Sequence, residues 1–319
     1  MPSNLNHLLQ QNARLAGVLL FILALGLISG CASGPRLASP AEMGVTEQVK
    51  LDHVPFHGQR DYQCGPASLA MALNASGVDV DVDTLIPQVY LPGREGSLQP
   101  EMLATLRRYE RIGFVIDGRF ETLFQELDAG HPVVVMQNLS LPAWPMWHYA
   151  VAIGYDLEDE VMIVHSGMEP ARLESFKRFD STWARSGYWA FVALPPGELP
   201  VSIGPSRAMD AIAAFEHAQG TEASLPAWQA TVSRWPQHAM AWFALGNAQH
   251  ANGDATAAAE SFEKATDEDP TLTVAWLNLG LTLEGLGEIQ RARQALQQAA
   301  SASGQWQETA RQALIRLDG

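Results

Sequence analysis

The sequence is short of cysteine, of positive charge and of long apolar runs, and each shortage excludes something. Only two cysteines occur in 319 residues, Cys31 and Cys64. That is too few for a disulfide framework or for a zinc site built on paired thiolates. Lys and Arg number 20 against 35 Asp and Glu, a formal net charge of −15. Nucleic acid is excluded as a partner, because phosphate binding needs clustered cations. Adsorption to anionic lipid by charge is excluded for the same reason. Charged residues make up only 17% and apolar residues 47%, the balance of a chain with a buried core. The length fits two domains better than one.

A charge-free, almost continuously apolar run, Leu15 to Ile28, follows a polar start and Arg14. It is short of the roughly 20 residues a spanning helix needs, and it has the layout of an export signal. The run ends Leu27-Ile28-Ser29-Gly30-Cys31. An aliphatic residue, two small residues and a cysteine resemble the bacterial lipobox. That resemblance implies a signal peptide over 1–30, lipid on Cys31, and a body outside the cytoplasm. With Ala32 next, it implies the outer membrane facing the periplasm in a Gram-negative cell. Residues 31–49, rich in Ser, Gly, Pro and Ala, then read as a tether. If Cys31 carries lipid, Cys64 is the one remaining thiol.

Residues 50–196 mix two patterns. Gly65 to Leu73, Pro100 to Arg108 and Glu121 to Ala129 read as helices. Pro132 to Leu139, His148 to Tyr155, Val161 to His165 and Trp189 to Leu194 read as strands, with Asp156 to Glu160 as a hairpin turn. Helices followed by strands predict an α+β domain on an antiparallel sheet. Pro195, Pro196, Gly197, Pro200 and Pro205 mark a linker over 197–207, so a chain ended near Pro200 should leave a folded domain. Residues 208–319 read as wholly helical.

That tail repeats itself. Pro236, Trp242, Leu245, Gly246, Gly253, Ala258 and Ala265 recur 34 residues later as Pro270, Trp276, Leu279, Gly280, Gly287, Ala292 and Ala299. The period and the Trp-x2-Leu-Gly pattern are those of tetratricopeptide repeats, with clear units at about 236–269 and 270–303. Small residues let paired helices approach, and Trp and Leu fill the groove between them. A degenerate earlier unit spans about Ala208 to Trp235 with Trp228 inward, and a last helix near Glu308 to Leu317 caps the stack. Such repeats imply a protein partner.

Two segments carry chemistry. Cys64 stands at the start of an Ala/Leu helix, with Pro66 in the first turn, where its missing N–H costs nothing. A thiol there feels the positive end of the helix dipole, which predicts a lowered pKa. His148 opens a strand and could take the thiol proton across a cleft. Taken singly, such a Cys is commonly a small core residue and such a His a surface one; their joint context decides. Gln59-x4-Cys64-Gly-Pro-Ala-x-Leu-Ala-Met, then Gly130-x-Pro132-Val-Val-Val, then His148-Tyr-x-Val-x-x-Gly-Tyr-Asp156 resembles the bacteriocin-processing (C-39) type of papain-like cysteine peptidase and its stand-alone relatives. The stretch Tyr90 to Glu101, with the lipobox and the repeats, resembles a lipoprotein subgroup.

The resemblance covers roughly Val54 to Pro195. It implies Cys64 as nucleophile, His148 as general base and acid, and Gln59 as an oxyanion donor beside the Cys64 backbone N–H, with Gln63 a rival. It also implies an Asp after the His-bearing hairpin, where this chain has Ser166. A serine can orient an imidazole but cannot balance imidazolium. Three outcomes stay open: a dyad with Ser166 as helper, a carboxylate from elsewhere, or lost activity. Asp156 belongs to the turn.

His53, His57 and Asp61 could suggest a metal, but Pro55 interrupts any regular helix there, so no metal and no cofactor is expected. The reading is a membrane-anchored thiol peptidase acting on a peptide or protein. The alternatives are a non-catalytic binding module on the same fold, or acyl or peptidyl transfer by the same pair. The double-glycine leader substrate of the classical members is not carried over, because this chain has no transporter region.

Overall fold

The computed structural model describes residues 37–59 and 63–318. The signal segment, Cys31 and Asp61 lie outside them. Among the described residues no helix is long and apolar enough to cross a membrane.

The first domain is a seven-stranded antiparallel sheet with helices packed on it. In chain order it comprises α1 (Pro40–Met43), β1 (Gln48–Lys50), α2 (Cys64–Ala75), α3 (Val82–Val89), α4 (Gln99–Arg108), β2 (Ile112–Val115), α5 (Phe120–Asp128), β3 (Val133–Asn138), β4 (Trp147–Asp156), β5 (Val161–Ser166), β6 (Glu169–Ser175), α6 (Phe176–Ala184) and β7 (Ala190–Leu194). The strand order is β2-β7-β3-β4-β5-β6, with β1 joined to β4. The helices and strands read from periodicity are all present, each within a residue or two of its expected ends. Asp156 Oδ1 accepts from the N–H groups of Glu158 and Asp159, both at 3.0 Å, and so shapes the β4–β5 turn.

Residues 40–49, assigned to a tether by composition, belong to this domain instead. Ser39 and Glu42 form a capping box at α1. Gln48 to Lys50 pairs with Asp156 to Gly154. Gly154 permits that pairing, because a Cβ there would lie 2.1 Å from the Val49 carbonyl oxygen.

The helical tail comprises α7 (Pro205–Gln219), α8 (Thr221–Arg234), α9 (Ala239–Ala251), α10 (Ala255–Glu268), α11 (Thr273–Gly285), α12 (Ile289–Ser301) and α13 (Gln307–Asp318). Sequence repetition becomes repetition of contacts. Trp242 Nε1 donates to the Pro236 carbonyl at 2.7 Å, and Trp276 Nε1 to the Pro270 carbonyl at 2.9 Å. A Cβ on Gly246 would meet the Phe262 ring at 2.6 Å, and one on Gly280 would meet Leu296 at 2.6 Å. These glycines are what lets α10 and α12 lie against α9 and α11. Trp228 is buried as expected, its Nε1 donating to Glu216 at 2.7 Å.

The segment read as a linker is fastened down. Ser202 N–H donates to buried Glu126 at 2.8 Å, Arg207 pairs with Asp117 at 2.6 Å, and Arg234 donates to the carbonyls of Pro200 and Val201. Ile203, Ala208, Ile212 and Phe215 share one apolar core with the sheet. The core therefore runs through the boundary, and independence of the first domain, expected from the prolines alone, does not follow.

Candidate active site

Cys64 begins α2, and His148 is the second residue of β4. Both line one cleft of about 1170 Å³. α2 forms because Gly65 to Leu73 is small and apolar, and that whole stretch is buried. Its first turn is thereby held against β4, with the Tyr149 backbone N–H facing the thiol. The helix start and the strand start, 84 residues apart in sequence (148 − 64), thus meet at one place.

His148 Nε2 lies 2.9 Å from Ser166 Oγ at the end of β5, so Ser166 takes the orienting position its sequence suggested. The remaining nitrogen, Nδ1, makes no hydrogen bond among the described residues, and no hydrogen bond joins His148 to Cys64. Ser166 is buried, and the hydroxyl can either donate to or accept from the ring, so it tolerates either tautomer without supplying charge.

The electrostatics reverse the expectation for Cys64. Burial pushes the thiol up, and the backbone N–H groups of Tyr149, Gly65 and Cys64 pull down by less. The helix dipole is not lost; desolvation of the thiolate by burial outweighs it. Burial, with the Arg172 guanidinium on β6 second, lowers His148 to about 4. At neutral pH the pair rests as thiol and neutral imidazole. The Tyr149 phenol is likewise raised, by burial and then by Cys64, and donates to the Ser97 carbonyl at 3.1 Å.

Gln59 is buried beside the thiol, but its amide is engaged. Nε2 donates to the Tyr149 carbonyl at 3.1 Å and to Ser68 Oγ at 3.2 Å, and Oε1 accepts from Gly167 N–H at 2.8 Å. The Gly167 donor fixes the orientation of the amide. Gln59 is thus a clamp joining the loop before Cys64, α2, β4 and the β5–β6 turn. Both of its amide hydrogens are engaged inside the protein, so an oxyanion would have to displace one of these bonds to reach Nε2. Gln63 lies elsewhere, in a small cavity of about 260 Å³ with Phe56, His57 and Asp81. His57 Nε2 lies 2.7 Å from Asn74 Oδ1, and His53 is exposed. Among the described residues no group of three or more His, Cys, Asp or Glu side chains is arranged to hold a metal.

Four contributors escaped the sequence reading. Tyr149 acts through its backbone, and Gly167 and Ser68 act through Gln59. Arg172 is the cation whose charge acts on the imidazole. The motif His148-Tyr-x-Val contains Tyr149 without pointing to its backbone, and no motif marks Ser68, Gly167 or Arg172; only the position of Gly167 next to Ser166 could have drawn notice.

Residues 45–191 match the family model described as Peptidase C39 like family. Residues 208–272 and 249–315 match two models described as tetratricopeptide repeat. No curated protein matches the chain. Among solved structures, one described as a C39-like peptidase from Bacillus anthracis is 21% identical, with a TM-score of 0.40, covering 47% of this chain and 98% of that one. The TPR2B domain of yeast Sti1 in complex with pHsp70 is 15% identical, with a TM-score of 0.34, covering 36% and 95%. The Yersinia enterocolitica chaperone SycD with a YopD peptide is 15% identical, with a TM-score of 0.34, covering 35% and 91%. The chain carries a peptidase C39-like domain followed by tetratricopeptide repeats.

Proposed function

We propose that the protein is a thiol-dependent peptidase of the bacterial cell envelope, anchored by lipid on Cys31, whose repeats engage a protein partner. One observation carries the catalytic part. Cys64 and His148 share a cleft, and Ser166 holds His148 by Nε2 while Nδ1 has no competing hydrogen bond. As Sγ bonds to the scissile carbonyl carbon, Nδ1 accepts the thiol proton. The imidazolium then gives that proton to the amine as the C–N bond breaks. Water attacks the thioester with the same imidazole taking its proton, and the thiol returns. Because the resting pair is neutral, proton transfer accompanies attack rather than preceding it.

The Cys64 backbone N–H faces the developing oxyanion. Gln59 joins it by exchanging its longer bond, to Ser68, for the substrate oxygen, while Tyr149 and Gly167 keep it in place. A donor so placed is worth about 3 kcal/mol in the transition state.

A second reading is a binding module without catalysis. Ser166 in place of an acid and Arg172 near the imidazole favour it, since both oppose imidazolium. Hydrolysis of a peptide library by the full-length chain, lost in Cys64→Ser and in His148→Ala, supports the peptidase; binding without turnover, equal in all three, supports the module. An added amine that appears in the product identifies transfer rather than hydrolysis. The anchor is tested by metabolic labelling with a fatty acid, where Cys31→Ala should lose both label and membrane association.

A further inference from the structure

Between buried Asn138 and His148 the chain runs without a charge, and most of that run is bare. Leu141 is 61% exposed, Trp144 75%, Met146 60% and Trp147 51%. Bulky apolar side chains this exposed and this close together mark a contact surface rather than chance exposure. They line the cleft that holds Cys64 and His148, except Leu141, which pairs by its backbone with Trp144 across the loop. Across the cleft stands Leu98, itself 45% exposed.

The loop is built, not slack. Asn138 Oδ1 accepts from the N–H groups of Ser140 at 3.0 Å and Met146 at 2.9 Å. Leu139 N–H donates to the Met146 carbonyl at 2.9 Å, and Trp144 N–H to the Leu141 carbonyl at 3.0 Å. Arg185 Nε holds the Asn138 carbonyl at 3.0 Å. Aromatic groups fixed in advance lose little entropy when a ligand covers them. The far wall offers Arg94 and Glu95 together, so charge selects neither sign and apolar surface decides.

We infer, resting on the peptidase reading above, that this cleft selects polypeptide substrates carrying a bulky apolar side chain, aromatic above all, beside the reacting carbonyl. The β3–β4 loop, through Trp144, Met146 and Trp147, is the specificity element. A polypeptide fits better than a lipid surface as occupant. The loop continues directly into His148, so whatever covers it also covers the reacting pair.

The test uses the full-length chain in detergent and peptidyl acyloxymethyl ketones that differ in one side chain, Phe, Leu, Gly or Asp. Labelling of Cys64 is followed by intact mass. Phe and Leu probes should react about 10- to 100-fold faster than Gly. Trp144→Ala and Met146→Ala should each shrink that ratio, while Trp306→Ala, remote from the cleft, preserves it. Trp144 is largely exposed, so its removal leaves no hole in the core. Equal rates for Phe and Gly, or a preference that survives both loop variants, overturn the inference; if labelling still depends on His148, the peptidase reading stands. Failure of every probe to label Cys64 overturns both. Trp144-dependent binding to phosphatidylethanolamine–phosphatidylglycerol vesicles without a side-chain preference assigns the loop to the membrane and also overturns it.

Discussion

His148 serves as a base only when its imidazole is neutral. An ordinary histidine loses that form as pH falls through about 6.5. Here burial, and Arg172 after it, lower the pKa to about 4, so the competent form persists down to about pH 4. The acid limb of the reaction rate should therefore lie near pH 4. Arg172→Ala removes the smaller cause, so the limb should rise but stop short of 6.5. Ser166→Asp places an anion beside the ring nitrogen that now meets the serine hydroxyl, so the limb should move up further and Cys64 should gain thiolate character. A pH–rate series on the three proteins checks all of this; an acid limb already near 6.5 in the wild type would contradict it.

Gln59 offers a second residue-scale prediction. Gln59→Ala leaves the buried Tyr149 carbonyl and the half-buried Gly167 N–H without their side-chain partner, which costs about 1–3 kcal/mol. Urea unfolding should show that loss. Cys64, His148 and Ser166 were legible in the sequence because short motifs carry them. The sign of the Cys64 shift was not, because the dipole is local and burial is not. Nor were Tyr149 and Gly167 as partners of Gln59, since they lie 90 and 108 residues away.

At the scale of elements, periodicity served wherever an element buries one continuous apolar set. β3, β4 and α2 bury nearly every residue and were readable. β6 was missed because Glu169 to Ser175 is mostly polar and half-exposed on the sheet edge, with no apolar alternation to see. α3 was missed because Pro87 sits inside it. In the tail, the 34-residue period fixed both the helix pairs and their contacts. Gly246→Ala should drive a methyl into the Phe262 ring and cost about 1–3 kcal/mol, and Gly280→Ala should do the same against Leu296. Unfolding followed by the fluorescence of Trp242 and Trp276 reads both. A loss below a few tenths of a kcal/mol would mean that the helix pairs can move apart freely.

Across the whole molecule, composition located the boundary but not its mechanics. Proline and glycine mark where regular structure stops, yet they do not say whether the core stops there too. Ile203, Ala208, Ile212 and Phe215 are buried in the same core as β2, β7 and α5. Gln219 also reaches back to the Arg107 carbonyl at 2.6 Å. A chain ended at Pro200 should expose that face and aggregate, or lose cooperative unfolding, in sedimentation and thermal melts. A monomeric, cooperatively folding fragment would show that the face tolerates water.

The most direct test of the account is acylation of Cys64 by an activated peptidyl thioester at pH 7, followed by intact mass in the full-length chain and in His148→Ala. The account predicts an adduct on Cys64 that forms about 10²- to 10⁴-fold more slowly without His148. An adduct that forms equally fast in both proteins, or on a residue other than Cys64, would contradict it.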